Sequence, residues 1–318
     1  MIVFNGIGEL GDDYKGVVVT LGVYDGLHRA HMNIVNQVIT SATEWNTRSM
    51  MITFDPHPRN VLDSSGSPVK QLTTASEKVA ILDDSALDSI LFLNVDQDLL
   101  NTDSEVFVKT VLVDKLNVRK VIVGYDYHFG KNRGGKANRL LDYGKKYGFE
   151  VDIVGQILLK NEPIRSSVIR SLLADGNVGK AAKFLGRHYS IKGKVGHGSG
   201  RGKTLGFPTA NIDLDCPDKM IPSDGIYLTE CTVGTSQYYG ICNIGIRKTF
   251  DEQNRIIEVY LMDVDAIDLY GHDLEMKFLE RLRDEIKFAT SAELITQMKK
   301  DERNCRARIK NIMVRMED

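Results

Sequence analysis

Cysteine is scarce in this chain: Cys216, Cys231, Cys242 and Cys305 are the only four in 318 residues, and no two form a C-x-x-C pair. That spacing excludes a zinc ribbon and a disulfide framework and predicts reduced thiols. Long apolar runs are also missing. No stretch reaches the roughly 18 apolar residues of a membrane helix, and residues 1–6 carry neither the basic flank nor the apolar run of a signal peptide. A cytoplasmic location is therefore expected, with no membrane partner. A surplus of one charge is absent as well. The 41 Lys+Arg and 43 Asp+Glu give a net charge of −2, whereas a duplex-binding protein shows a basic excess. No nucleic-acid partner is expected. Repeats and low-complexity tracts are lacking too. What is present is ordinary globular composition, 42% hydrophobic, which excludes disorder as the main state. The length suits two domains, each with its own core.

The hydrophobic pattern changes part-way along. Nearly continuous apolar runs at 17–21, 50–54, 90–95, 120–123 and 151–154 predict strands covered on both faces. Helical patterns at 29–45, 75–83, 104–116 and 138–147 separate them. Strands alternating with helices imply a parallel sheet in a Rossmann-like α/β domain, with ligands beyond the carboxyl ends of the strands. Residues 169–185 read as two short helices. Strand-like segments then follow at 189–195, 226–233, 237–244, 256–264 and 274–279, divided by Gly196, Pro222, Gly225, Gly234 and Gly271. With no helix between them they should be antiparallel and closed into a small barrel. A polar helix at 291–316, with Leu294, Met298, Ile309 and Ile312 along one stripe, ends the chain. The boundary is placed near Phe184, giving domains 1–183 and 184–318.

The first strand runs into G-V-Y-D-G-L-H-R-A-H, residues 22–31. Gly22 and Gly26 at a strand-to-helix turn let backbone approach a phosphate, and the helix start offers free N–H groups. His28 and His31 share one face of the first turn and could donate to phosphate oxygens; a solvated or capping pair is the plainer reading. Thr53-Phe54-Asp55-Pro56-His57-Pro58 follows the second strand. Gly124-Tyr125-Asp126-Tyr127-His128-Phe129-Gly130 follows the fourth, and Ser166-Ser167-Val168-Ile169-Arg170 opens a helix after the fifth. Each alone reads as a loop or a cap.

In the second half, residues 193–207 hold six glycines, among them Gly198, Gly200 and Gly202, and lead into Pro208-Thr209-Ala210-Asn211. The Gly-Lys-Thr at 202–204 lacks the strand–helix context of a Walker loop. In an extended segment Thr209 and Asn211 point the same way, and a hydroxyl beside an amide oxygen suits Mg²⁺. Asn243-Ile244-Gly245-Ile246-Arg247-Lys248-Thr249-Phe250, the strand Ile257-Glu258-Val259-Tyr260-Leu261-Met262-Asp263 and Leu282-Arg283-Asp284-Glu285-Ile286-Lys287-Phe288 follow in order. By itself Glu258 reads as a solvent-facing residue, and Arg283 as an exposed arginine paired with Glu280 or Asp284.

In order and at strand ends, these motifs resemble the prokaryotic bifunctional riboflavin kinase/FMN adenylyltransferase (FAD synthetase) family, from about Val17 to Asp301. The resemblance implies a nucleotidylyltransferase-like α/β domain, then an antiparallel riboflavin-kinase barrel with a C-terminal helix. It implies ATP- and Mg²⁺-dependent phosphorylation of riboflavin to FMN, and adenylylation of FMN to FAD. By it, Glu258 is the general base, and Thr209 and Asn211 hold the magnesium–nucleotide. His28, His31 and Arg170 act on the adenylyl phosphates. Gly22, Asp25, Gly26, Gly124, Asp126, Ser166, Gly198, Gly200, Gly202, Pro208 and Arg283 line the ATP and flavin sites. The chain departs from the family pattern at Ala30, which takes the Gly position of His-x-Gly-His, and at Lys136, Val168 and Lys248. The first three favour an alternative, a kinase whose first domain is a scaffold or a nucleotide or flavin sensor.

Overall fold

The fold is that of a computed structural model, which describes all residues except 63–67, 132–133, 197–205, 249–252, 265–268 and 318. By compactness the chain divides into two units, Met1–Val168 and Ile169–Asp318.

In the first unit, apolar runs are buried on both faces of one sheet. Its strands are β1 (Ile2–Phe4), β2 (Val18–Leu21), β3 (Ser49–Asp55), β4 (Ser89–Asn94), β5 (Lys120–Gly124) and β8 (Glu150–Val154). All pairings are parallel, in the order β1-β4-β3-β2-β5-β8. Alternate residues of one run enter different cores. Val19, Leu21, Met50, Ile52, Val121 and Val123 pack on one side, with Phe107, Leu112 and Leu140. Those last three come from α5 (Ser104–Phe107), the π-wound stretch Val108–Lys115, and α6 (Ala137–Tyr147). Val18, Met51, Ile90, Phe92 and Ile122 face the other way, onto Ile34, Val35, Val38 and Leu82. These belong to α1 (Arg29–Glu44) and α3 (Ala75–Asp83). The short helices α2 (Pro58–Leu62) and α4 (Gln97–Asn101) and the hairpins β6 (His128–Phe129) with β7 (Gly135–Lys136) and β9 (Leu158–Leu159) with β10 (Glu162–Pro163) complete the unit. The five predicted strands are present. The sixth, β1, is too short to show a period.

Strand order reverses direction at β2. The chain passes from β2 outward through β3 and β4, then returns to place β5 on the other side of β2. Loops leaving the carboxyl ends of β2 and β5 therefore diverge and leave a crevice, the usual ligand position in open parallel sheets.

The second unit is a closed antiparallel barrel in the order β11-β12-β15-β14-β13-β16. Its strands are β11 (Tyr189–Gly196), β12 (Thr209–Leu214), β13 (Gly225–Val233), β14 (Ser236–Lys248), β15 (Gln253–Leu261) and β16 (Asp273–Arg283). Tyr227 and Phe278, both fully buried, meet edge to face at 5.3 Å between ring centroids. Two helices precede the barrel, α7 (Ser166–Ala174) and α8 (Val178–Leu185). Helix α8 buries Val178, Ala181, Phe184 and Leu185 and packs on β16 and β11. It ends at Gly186, which takes the left-handed φ of 83° common just past a helix. The final helix α9 (Ser291–Glu317) places Cys305 and Ile309 against Leu228, Tyr239, Ile241 and Tyr260 on the outside of the barrel.

The thiols follow this packing. Cys231, Cys242 and Cys305 are buried, and Cys216 is half-buried. Burial pushes the Cys231 and Cys305 thiols up to about 12, and Cys242 well above its ordinary value. A thiol-specific reagent at pH 8 is expected to modify one cysteine quickly and the other three only on unfolding; rapid modification of two or more would contradict this packing.

Candidate active sites

The first candidate site is at the carboxyl ends of β2 and β5. The turn after β2 is tight: Tyr24, Gly26 and Leu27 take φ of 49°, 93° and 38°. The Tyr24 ring folds back over Gly22, where a Cβ would lie 2.9 Å from the ring edge, and the Tyr24 hydroxyl meets that of Thr20. Thr20 also donates to the carbonyl of Ile122 on β5, at 2.5 Å. Asp25, 4% exposed, turns inward: its Oδ1 accepts from the backbone N–H of Leu72 (2.8 Å) and Thr73 (3.0 Å). Gly26 N–H donates to Thr73 Oγ1, at 2.9 Å. Ser166, at the start of α7, donates to the carbonyl of Asp25 at 2.8 Å, and Arg170 follows one turn later on the same helix. These bonds fix the loop as one piece with segment 72–73.

His28 is the N-cap of α1. Its Nδ1 accepts from the backbone N–H of His31 at 3.3 Å, so in the neutral ring the proton is on Nε2. The two imidazoles stack at 3.5 Å, and Tyr24 meets His31 edge-on at 5.0 Å. The pair thus stands where the helix presents its free amides and positive dipole end. Ala30 is the second residue of α1, half-buried. Gly124 ends β5, and a Cβ there would lie 3.3 Å from Asp126 Oδ1; Asp126 itself is exposed. Lys136, also exposed, is the N-cap of α6. One residue emerges that the motifs did not single out. Lys78 is buried on α3, and its Nζ donates to the carbonyl of Val23 at 2.9 Å, where Thr53 also donates at 3.1 Å. Burial pulls the Lys78 amine down, against the pull of Asp25 and Asp55. Its signal was a lysine on the inward face of α3, one turn before Leu82.

The second candidate site is on the outer face of the barrel. Register sets it. Asn211 pairs with Glu258 and Thr209 with Tyr260 across β12 and β15. Asn243 pairs with Glu258 and Ile241 with Tyr260 across β14 and β15. Side chains alternate, so Ile257, Val259, Cys242 and Ile244 fill the interior while Thr209, Asn211, Glu258 and Asn243 share the outer face. Pro208 is exposed beside them, and Phe207 is buried edge-on to Tyr260 at 5.1 Å. Gly198, Gly200 and Gly202 lie outside the described residues, as do Thr249 and Phe250.

Arg283, at the end of β16, faces Asp301 of α9. Nε and Nη2 both donate to the carboxylate, Nη2 to Oδ2 at 2.7 Å, and Gln297 donates to Oδ1 at 2.8 Å. The partner is thus neither Glu280 nor the Asp284 side chain. Arg283 holds the final helix to the barrel beside the site.

Two family models divide this chain between them: FAD synthetase over residues 11–168 and Riboflavin kinase over 185–309. Named relatives run across both. "Bifunctional riboflavin kinase/FMN adenylyltransferase" of Listeria monocytogenes is 35% identical, covering 91% of each chain.

The chain belongs to the bifunctional riboflavin kinase/FMN adenylyltransferase family.

Proteins of that name from Buchnera aphidicola (32% identity; 95% of this chain, 96% of the relative) and Escherichia coli K12 (32%; 92% of each) agree. A crystal structure described as a macrolide-efflux protein from Streptococcus pneumoniae superposes with a TM-score of 0.86 at 28% identity, over 96% of this chain and 98% of that one. Among the described residues no helix is long and apolar enough to cross a membrane.

The Arg283–Asp301 pair gives a direct test. The Asp301 side chain is 5% exposed, and removing one partner of a buried pair strands the other charge, a cost of about 3 kcal/mol. Arg283→Ala is expected to destabilise the barrel unit by that amount in urea unfolding; a loss below about 1 kcal/mol would show that the pair is not what holds α9.

Proposed function

We propose that this chain phosphorylates the 5′-hydroxyl of riboflavin at the barrel and adenylylates the resulting FMN at the parallel sheet. Residues 184–318 and 1–183 serve as the two catalytic domains of one cytoplasmic protein. The observation that carries the reading is the row in which Asn211 stands beside Glu258, with Thr209 on the same face.

Glu258 accepts the proton of the riboflavin 5′-hydroxyl and aligns its oxygen toward the γ-phosphate of ATP. Thr209 and Asn211 fit a magnesium ion by donor chemistry, as hard neutral oxygens on one face. Among the described residues no group of three or more His, Cys, Asp or Glu could hold a metal, so these neutral oxygens and the ATP phosphates would form the shell. The ion, when bound, supplies positive charge against the phosphates. The glycine-rich residues before Pro208, including Gly198, Gly200 and Gly202, suit close backbone approach to those phosphates.

At the sheet, the FMN phosphate attacks the α-phosphate of ATP and pyrophosphate leaves. His28, His31 and the amino end of α1 stabilise the charge that builds on the transferred and leaving groups, and Arg170 adds a cation. Gly22, Gly26 and Gly124 keep side chains out of the nucleotide's path. Asp25 and Ser166 hold the loop in shape, and Asp126 stands exposed at the end of β5 to bind the nucleotide. The loops and the polar row suit phosphates and hydroxyls and give no support to drug efflux.

Incubation with riboflavin, ATP and Mg²⁺, followed by flavin chromatography, is expected to yield FMN and then FAD. Absence of FMN would overturn the kinase reading. FMN without FAD would leave the first domain as a scaffold or sensor. Glu258→Ala should slow FMN formation by about a hundredfold or more; an unchanged rate would remove Glu258 as the base.

A further inference from the structure

Among the described residues, one side chain in the outer row of the barrel lacks a partner at one end. Asn243 on β14 stands opposite Glu258, which in turn stands opposite Asn211, so the three cross neighbouring strands in a line. The Asn243 amide hydrogen-bonds the carboxylate of Glu285. Glu285 lies just past β16, and its carboxylate covers Gly245, two residues along the same face of β14. A Cβ on Gly245 would lie 2.0 Å from Glu285 Oε1, so the glycine is the gap that this carboxylate fills. Burial, and then Asp224, push the Glu285 carboxyl up; Asn243 and Arg283 hold it down.

An amide has a donor end and an acceptor end. With its –NH₂ held by Glu285, Asn243 is fixed in orientation. Its Oδ1 is buried and, among the described residues, accepts no hydrogen bond. Buried acceptors nearly always have a donor. An acceptor locked by a second group, with its own place empty, is how a site is kept ready for a ligand's donor.

Strand order says which donor. Asn211 lies on one side of Glu258 and Asn243 on the other. In phosphoryl transfer the donor phosphates and the body of the accepting substrate lie on opposite sides of the attacking oxygen. If the nucleotide is on the Asn211 side, the Asn243 side takes the rest of the acceptor. The groups nearest its reacting hydroxyl are the other hydroxyls of the ribityl chain, and the flavin ring is a whole chain further away. We propose that Asn243 Oδ1 accepts a hydrogen bond from a ribityl hydroxyl of the substrate, and that Glu285 is the positioning residue that fixes the amide. This rests on the kinase reading and deepens it.

Riboflavin and lumiflavin, which keeps the ring and lacks the ribityl chain, separate the two ends of the substrate. Binding of each to the full chain is measured by fluorescence with EDTA and no nucleotide. Asn243→Ala is expected to weaken riboflavin about tenfold and to leave lumiflavin unchanged. In turnover it should raise the KM for riboflavin and leave that for ATP unchanged. Glu285→Ala should show the same selectivity, and Glu285→Gln, which keeps an oxygen for the amide, should restore much of the affinity. Equal weakening of both flavins, or no weakening of riboflavin, would overturn the proposal. If Asn243→Ala fails to fold, Asn243→Ser takes its place with the same selective loss expected. Wild-type protein that makes no FMN defeats the kinase reading itself; wild type that makes FMN, with Asn243→Ala indistinguishable from it, defeats only this inference.

Discussion

Asn211, Glu258 and Asn243 meet because β12, β15 and β14 pair in one register. A slip of one residue in β15 would turn Glu258 into the interior and put Val259 in its place. The interior residues prevent this. Ile257 and Val259 are buried with Ile212, Cys242 and Ile244, and a slip would put their apolar surface in water. Burying one such side chain is worth about 1.5–3 kcal/mol, so two or three of them outweigh any gain from exposing a carboxylate. The polar row is a consequence of the core behind it.

The same face is divided between two tasks. One register step along, Ile241 and Tyr260 lie under helix α9 with Tyr239. The helix is held there by Arg283 and Asp301. Apolar residues dock the helix, and on the proposed function the neighbouring polar residues are left for substrates. The sheet of the first unit divides its labour differently. Its strands spend both faces on packing, so the proposed chemistry falls to the loops at the strand ends, at the point where strand order reverses.

Much of this was legible in the sequence because period reports burial. Continuous runs at 50–54 and 90–95 read as strands covered on both sides, and they are. Mixed alternation after Tyr189 read as a barrel, and Thr209 and Asn211 read as sharing a direction before any strand was assigned to them. Other features left no local signal. Strand β1 has three residues, too few for a period. Arg283 finds Asp301 eighteen residues along the chain, and only the packing of α9 on the barrel brings the two together. Asp25 read as a ligand-facing acid, yet it spends Oδ1 on the amides of Leu72 and Thr73, which the fold delivers from a distant segment. The role of Gly245 is visible only once Glu285 is seen to occupy the space above it.

Backbone amide chemical shifts tested with substrate would bear most directly on the placement of phosphoryl transfer at the outer face of the barrel. Riboflavin with a non-hydrolysable ATP analogue and Mg²⁺ is added to isotope-labelled protein. The largest shifts are expected at Thr209, Asn211, Asn243 and Glu258, across three strands that are not consecutive in sequence. Shifts that spare these residues and gather elsewhere in the chain would contradict that placement.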